Sequence, residues 1–311
     1  MDSKFEKWNE LPTEMRYECV KWMDFMSRMM LRATSHTEKS LVESAPKIHF
    51  DSVKIDWDIY TPPSIICKEG SVETNQTFRR RCTEEILRKG YQYLALLLKF
   101  AVIDHFEFWS RFMNDYETSQ FCSKISNIAP IKFKTLHLDI EHHNIIKMLL
   151  EKCEKIEKLV LRGDEYGEFD DVTSFICSEA FYTAKTVQLK DMSWLYTPCV
   201  LMEKWIEFDV QLGTAFQARC QSSNFIDYFA QNMKNRVVSK TDTELRLSTE
   251  NPMKHILLRV VATLVDSFIL FLVIPADQKK LEYEKHDQWA EDFDKYDEET
   301  MKHQLSAFYV Y

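Results

Sequence analysis

Phe-Lys-Thr-Leu-His-Leu at residues 133–138 contains the spacing on which the fold depends: an apolar residue, two others, an apolar residue, one other and a third apolar residue. The spacing occurs five times, and the middle residues of successive copies lie 30, 23, 28 and 21 positions apart. Each copy predicts a short strand, and helical patterns such as 144–155 and 172–182 lie between them. The copies are Ile103/Phe106/Phe108, Phe133/Leu136/Leu138, Ile156/Leu159/Leu161, Ala184/Val187/Leu189 and Trp205/Phe208/Val210.

A strand, a loop and a helix that recur at intervals of 21 to 30 residues are typical of a leucine-rich-repeat-like stack, whose units bury their apolar faces against each other. We therefore predict the α/β fold class, with a leucine-rich-repeat-like strand/helix solenoid over residues 46–277. Helices precede it over residues 1–45, and an acidic amphipathic helix or tail follows over residues 278–311. A non-repetitive α/β domain is the alternative, because apolar triplets also arise by chance in a chain that is 45% hydrophobic.

The segments outside the five copies give further expectations. Alternating apolar residues predict one or two strands between Ile48 and Ile59, and residues 83–98 predict a helix. The polar residues 64–78 are expected to form a mobile loop. A hairpin over Ile256–Ile274 is expected to cover the open edge of the last parallel strand.

Composition excludes several functional classes. Five isolated glycines do not form a phosphate-binding loop, and a net charge of −9 disfavours nucleic acid as a partner. Eight cysteines without a Cys-x-x-Cys pair indicate reduced thiols. Residues 255–276 are interrupted by Arg259 and Asp266, so no membrane span is expected. Residues 1–10 contain no apolar run, which favours the cytosol or nucleus.

The sequence offers no catalytic group with supporting residues. The densest set of possible metal ligands is interpreted as a surface cluster, because a strand followed by a helix points adjacent histidines in different directions. No motif of a nucleophilic, metal-dependent or phosphate-binding enzyme occurs. We therefore expect no metal, no cofactor and no enzymatic activity. The cluster comprises His137, Asp139, Glu141, His142 and His143.

The first forty residues predict two short amphipathic helices. Pro12 suits the first turn of one helix, and a second is expected to begin at Asp24 or Ser27 and to run towards Val42. Four methionines between positions 23 and 30 favour a surface that adapts to a partner. A helical hairpin packed on its own domain is the alternative. The first helix has a single apolar stripe of Leu11, Met15, Cys19, Trp22 and Met23.

This N-terminal region resembles the F-box over residues 8–43, and residues 28–42 look like the large nematode set of F-box proteins. The F-box is the motif by which substrate receptors dock on the linker subunit of cullin-RING (SCF-type) ubiquitin ligases. The resemblance implies an adaptor that binds this subunit and presents a target protein for ubiquitination. It rests on Leu11-Pro12-x-Glu14-Met15, Val20, Met23-Asp24, Arg32-x-x-Ser35 and Leu41-Val42.

The resemblance also implies which residues bind the linker subunit. These are Leu11, Pro12, Glu14, Met15, Cys19, Val20, Met23, Met29 and Leu31. A stand-alone interaction scaffold that never joins a ligase is the competing function, and an enzyme of unrecognised family is the third.

The outward side chains of the predicted strands form the expected target-binding surface. Neighbours of the buried apolar residues point away from the helices, and those on the strands are polar or small. The expected target-binding residues are Thr135, His137, Lys158, Val160, Thr186, Gln188, Glu207 and Asp209.

Overall fold

A computed structural model describes residues 7–57, 63–77, 84–110, 115–140, 143–162, 178–190, 197–220, 224–262 and 267–279. The α-helices in these ranges are α1 Thr13–Lys21, α2 Phe25–Arg32, α3 His36–Ser44, α4 Glu84–Phe100, α5 Asp115–Ile125, α6 His143–Lys152, α7 Glu179–Thr183, α8 Thr197–Glu207 and α9 Phe225–Asn232. Short 3-10 helices span Trp8–Glu10 and Lys234–Arg236. The strands are β1 Ile48–Trp57, β2 Ser64–Glu69, β3 Val72–Thr77, β4 Ala101–Ser110, β5 Ile131–Ile140, β6 Cys153–Arg162, β7 Thr186–Lys190, β8 Ala215–Cys220, β9 Val237–Lys240, β10 Glu244–Ser248, β11 Lys254–Ala262 and β12 Ser267–Pro275.

All twelve of these strands join one sheet in the order β3-β2-β1-β4-β5-β6-β7-β8-β12-β11-β10-β9. The central run from β1 to β8 is parallel. Helices alternate with the parallel strands along the chain, which confirms the predicted α/β class. The middle residues of four predicted copies lie side by side, because Phe106 pairs with Leu136, Leu136 with Leu159 and Leu159 with Val187.

The strand predicted at the fifth copy, Trp205/Phe208/Val210, is wrong. Trp205 lies in α8, and the next parallel strand is β8, where Phe216 pairs with Val187. The spacing of Trp205 and Phe208 by three residues suits a helix as well as a bent strand, and Trp205 is buried from the helix. Consequently Glu207 ends α8, and Asp209 lies in the following loop at a left-handed φ of 45°.

The far end of the sheet turns antiparallel. The predicted hairpin is confirmed as β11 and β12, and β12 pairs with the edge of β8. Two further strands, β10 and β9, extend the sheet beyond the hairpin.

The predicted loop over 64–78 is wrong, because β2 and β3 form a hairpin there. Ile65 and Cys67 alternate with more exposed residues and are buried, which is the pattern of a strand with one covered face. Gly70 has a φ of 56° at the first central position of the two-residue turn, and Ser71 follows without a positive φ, as in a type II′ turn. The predicted C-terminal helix or tail lies outside the described residues from position 280 onwards.

The main core lies between the sheet and the helices on one of its faces. Leu94 and Leu97 of α4 and Leu149 of α6 are fully buried with the inward residues of the parallel strands. Trp57 at the end of β1 packs edge-on against Phe108, with ring centroids 5.0 Å apart. A Cβ at Gly90 would lie 3.1 Å from the Trp57 ring, so glycine permits this close approach of α4 to β1.

Candidate functional site

The N-terminal segment forms three helices rather than the two predicted. Asp24 caps α2, as expected, by accepting a hydrogen bond from the Ser27 amide at 2.9 Å, and this bond lowers the pKa of Asp24. Ser35 caps α3 in the same way by accepting from the Glu38 amide at 3.1 Å. The helix predicted to run up to Val42 is therefore interrupted: it ends at Arg32, and a new helix begins after Ser35, which has extended backbone angles.

Val20, Leu41 and Val42 form the buried core of these three helices. Met29 and Leu31, two of the residues implied to bind the linker subunit, are half-buried and pack against this core. Val20 is fully buried, so it stabilises the helices and offers no surface to a partner in this conformation.

Arg28 is a buried charged residue that ties the helices together. Its Nε donates to the Met23 carbonyl at 3.1 Å, and its Nη2 donates to the Lys21 carbonyl at 2.9 Å. Its Nη1 donates to the carbonyl of Pro46, beyond the end of α3. One guanidinium therefore satisfies carbonyls at the end of α1, before α2 and after α3. Burial lowers the pKa of Arg28, and the charge of Glu69 on β2 opposes this effect.

A second buried polar contact joins α1 to α3. Arg16 Nη1 donates to Glu38 Oε1 at 2.7 Å, and the two side chains are 14% and 7% exposed. Breaking such a pair from one side leaves an uncompensated buried charge, so the pair fixes the mutual position of the two helices.

The three helices expose four large apolar side chains, Met15, Trp22, Met26 and Met30, which together we call the N-terminal apolar surface. Met15 and Trp22 lie seven positions apart on one face of α1 and its C-cap, and Met26 and Met30 lie four apart on one face of α2. Their exposed fractions are 54% for Met15, 89% for Trp22, 37% for Met26 and 63% for Met30.

The residues implied to bind the linker subunit lie partly on this surface. Pro12, Glu14 and Met15 are exposed, whereas Leu11, Cys19 and Met23 are half-buried. Trp22, Met26 and Met30 were absent from the implied set. The apolar stripe and the run of methionines in the sequence were the signals that could have identified them.

The N-terminal helices pack against the first parallel strand, β1, and against α4. The Phe25 ring packs edge-on against Tyr93 of α4 and Phe50 of β1, with centroids 5.4 and 6.1 Å apart. Arg32 Nη2 donates to Glu43 at 2.7 Å, and the Arg32 guanidinium lies 5.4 Å from the centre of the Phe100 ring. These contacts hold the N-terminal apolar surface in a fixed position relative to the sheet.

The sheet face opposite the helices is divided into an open and a covered half. Lys158 is exposed and Thr135 and Thr186 are half-buried, whereas His137, Val160 and Gln188 are buried. Glu207 and Asp209, expected on the same face, are not on a strand at all. The Asp209 carboxylate instead accepts from Lys254 Nζ at 2.8 Å, which lowers its pKa.

The covered half contains charged and polar side chains at high density. His137 Nδ1 lies 3.6 Å from Glu107 Oε1, and Gln188 Nε2 donates to Gln217 Oε1 at 3.0 Å. Burial, together with the positive charges of Lys190 and Arg162, lowers the pKa of His137 to about 3. His137 is therefore neutral at pH 7.

The open half, towards the amino ends of the strands, exposes a charge network that the apolar spacing does not predict. Lys134 Nζ donates to Asp104 Oδ2 at 2.7 Å, and His49 Nε2 lies 3.3 Å from Asp104 Oδ1. The bond from Lys134 lowers the pKa of the Asp104 carboxyl. With Lys158, these side chains form what we call the open half of the strand face.

The described residues offer little reactive chemistry. Burial raises the pKa of the Cys67, Cys153 and Cys199 thiols to about 12, so they are protonated at pH 7. Within the same ranges no group of three or more His, Cys, Asp or Glu side chains is arranged to hold a metal ion. None of the helices in the described part of the chain has the length and hydropathy needed to cross a bilayer.

Comparison with known families gives one match. Residues 8–50 match the F-box domain, so the matched segment contains all three N-terminal helices and the start of β1. No curated protein matches the chain.

Proposed function

We propose that this chain, which carries an F-box domain over residues 8–50, is a substrate-recognition adaptor of a cullin-RING (SCF-type) ubiquitin ligase. The N-terminal helices bind the linker subunit, and the sheet region binds the target protein that receives ubiquitin. The adaptor itself forms and breaks no covalent bond. The observation that carries the proposal is the coincidence of the F-box match with the N-terminal apolar surface.

That surface has the chemistry of a protein-binding site. Its four large apolar residues lie within residues 15–30, and they leave the small core of the helices intact because that core is built from Val20, Leu41 and Val42. Tryptophan is enriched among the residues that contribute most to interfaces, and methionine adapts its shape to a partner. Exposed apolar groups that are not needed for folding favour an interaction role.

The mounting of the helices supports the adaptor role in a second way. Phe25 packs between β1 and α4, so a bound linker subunit would keep a constant orientation relative to the sheet. An adaptor that presents a target for a transfer reaction gains from such a fixed geometry, since a wrongly placed acceptor reacts slowly.

For target binding we propose the open half of the strand face in place of the covered half. Lys158 of the expected target-binding set belongs to this half, together with His49, Asp104 and Lys134. A photo-crosslinking amino acid at position 158 should capture the target in extract, whereas the same amino acid at the buried position 188 should not. Equal capture at both positions, or capture at position 188 alone, would contradict this placement.

The linker interaction can be tested with the purified full chain and the purified linker subunit. Met15→Asp and Trp22→Asp each put a charge on the N-terminal apolar surface, and loss of one central apolar contact of about 2 kcal/mol weakens binding about 30-fold. Met253→Asp is the matched control, because Met253 is 72% exposed on the β10–β11 connection, far from residues 8–50 in the sheet order. Isothermal titration calorimetry measures the affinities, and circular dichroism checks that each variant is folded.

Two results would overturn the proposal. Wild-type chain that does not bind the linker subunit at all would favour the stand-alone scaffold. Binding that Met15→Asp and Trp22→Asp leave as strong as Met253→Asp would show that another surface makes the contact.

A further inference from the structure

The outermost strand at one end of the sheet, β3, has an uncovered edge. Val72 to Thr77 pair with β2 on one side only, and β3 ends the strand order within the described residues. All six residues of β3 are exposed, and no other strand in the described part of the chain pairs with its outer edge. Backbone groups along such an edge are available to pair with another strand.

β3 has one charged residue, Glu73, and otherwise lacks the features that normally protect an edge strand. Its sequence, Val-Glu-Thr-Asn-Gln-Thr, contains no lysine and no proline, and its register with β2 is continuous. The opposite edge strand, β9, has four residues and ends in Lys240, and its register with β10 shifts between Arg246 and Leu247. The two ends of one sheet therefore differ, and β9 is the better protected edge.

The turn between β2 and β3 determines which backbone groups point outwards. The residues that flank a two-residue turn, here Glu69 and Val72, form a hydrogen-bonded pair, and such pairs alternate along an antiparallel ladder. The amides and carbonyls of Glu73, Asn75 and Thr77 consequently point away from β2. These six groups form the free edge.

A second copy of β3 fits this free edge in antiparallel orientation. When Asn75 lies opposite Asn75 of the second copy, Glu73 lies opposite Thr77 and Thr74 lies opposite Gln76. The outward groups of both strands then face each other, and no like charges are opposed. The register is symmetric, with a two-fold axis through Asn75, as a closed dimer requires.

We propose that this chain forms a homodimer by antiparallel pairing of β3 with β3 of a second copy, on a two-fold axis through Asn75. The inference rests on β3 alone and is independent of the proposed function. A pair of six-residue strands buries less than the roughly 800 Å² per partner of a standard interface, so the dimer is expected to dissociate on dilution between about 100 and 1 µM.

Sedimentation velocity of the full chain tests the dimer, and two charge variants test the axis. Asn75→Lys opposes two ammonium groups across the axis and Asn75→Asp opposes two carboxylates, so each variant alone should be monomeric at concentrations where the wild type is dimeric. An equal mixture of the two variants should regain the dimer, because opposite charges then meet. Ser239→Lys on β9 is the matched control and should sediment like the wild type.

A cysteine variant provides a second measurement. Directly opposed residues of a hydrogen-bonded antiparallel pair have Cα atoms about 5.5 Å apart, but their Cβ atoms are farther apart than a disulfide prefers, so a short bismaleimide crosslinker between thiols is used. Asn75→Cys should form a covalent dimer with this crosslinker, and Ser239→Cys should not. Circular dichroism of all variants confirms the fold.

Three results would overturn the inference. Wild type that stays monomeric at about 100 µM would exclude the dimer. This holds even if β3 instead pairs with a strand of a target protein. A dimer that Ser239→Lys disrupts and Asn75→Lys does not would place the contact at β9. Absence of a dimer in the mixture of Asn75→Lys and Asn75→Asp would show that the two-fold axis does not pass through Asn75.

Discussion

Replacement of Arg28 by methionine tests how the N-terminal helices are held together. Methionine keeps most of the length and the apolar stem of the side chain, so the main loss is the guanidinium and its three hydrogen bonds. The carbonyls of Lys21, Met23 and Pro46 lose this donor, whose own side chain is buried between them. At roughly 1 kcal/mol of net stabilisation for each hydrogen bond lost, Arg28→Met should destabilise the helices by about 3 kcal/mol.

Hydrogen exchange followed by mass spectrometry locates this loss. Opening of residues 13–44 should become easier by about 3 kcal/mol, which corresponds to exchange about 150-fold faster. Peptides from β5 and β6 should change little, because their pairing and core do not involve Arg28. Arg28→Lys retains a positive charge and part of the bonding, so its effect should be intermediate.

Two outcomes would refute this reasoning. Exchange over 13–44 that increases less than about fivefold in Arg28→Met would mean that the three bonds contribute little beyond what water supplies. Equal acceleration in β5 and β6 would mean that the helices and the sheet unfold as one unit.

Three further predictions concern single residues. Since burial holds the pKa of His137 at about 3 and an unfolded histidine titrates near 6.5, the unfolded state binds the proton first as the pH falls. Stability should therefore fall below pH 6.5 by up to about 1.4 kcal/mol per pH unit, and urea unfolding at pH 7 and 5.5 should show a smaller difference for His137→Gln than for wild type; an equal difference would contradict this. The thiol of Cys67, with its pKa raised to about 12, should react with iodoacetamide at pH 8 on the order of a thousandfold more slowly in the native chain than in urea, as measured by mass spectrometry, and comparable rates would be inconsistent with its burial. Gly70→Ala should destabilise the β2–β3 hairpin by about 1 kcal/mol because of its left-handed φ, since a Cβ there meets no atom within 4 Å; faster exchange in residues 64–77 checks this, and unchanged exchange there would count against the turn assignment.

The parallel sheet was predictable because its strands repeat one burial pattern. Phe106, Leu136, Leu159 and Val187 lie in register, and the two residues that precede each of the first three are exposed or half-buried at the same level of the sheet. The pattern failed at Trp205, which belongs to α8, while Phe208 directly follows the last residue of that helix. Local spacing alone does not separate these two cases, since only the pairing of Phe216 with Val187 identifies the strand.

The hairpin of β2 and β3 was missed for a different reason. Polar residues such as Thr74, Asn75 and Gln76 lower the apparent strand signal, yet backbone pairing with β2 supplies hydrogen bonds whatever the side chains are. The apolar alternation that matters belongs to β2 alone, in Ile65 and Cys67.

For the candidate sites, the sequence indicated chemistry better than exposure. Leu11 to Met15 indicated the F-box match near its start. The same pattern did not predict exposure, because Val20 and Met15 lie on one helix and Val20 is buried whereas Met15 is exposed. On the strand face, the outward direction of His137 and Gln188 followed from alternation. Their burial did not follow, because it depends on which parts of the chain lie above the sheet, and strand periodicity carries no information on that.

The two proposed interfaces lie close to each other in the sheet. The N-terminal helices pack on β1 through Phe25, and β1 is two strands from the free edge of β3. Pairing at β3 would separate the β1 strands of two copies by five strand spacings, or about 24 Å. The N-terminal apolar surfaces of the two copies would then belong to one dimer, which could bind two linker subunits. A target bound by two adaptors of one dimer would engage two ligases at an effective concentration far above that of free adaptors. Asn75→Lys should therefore reduce ubiquitination of a target at low adaptor concentration while it leaves the affinity of each chain for the linker subunit unchanged.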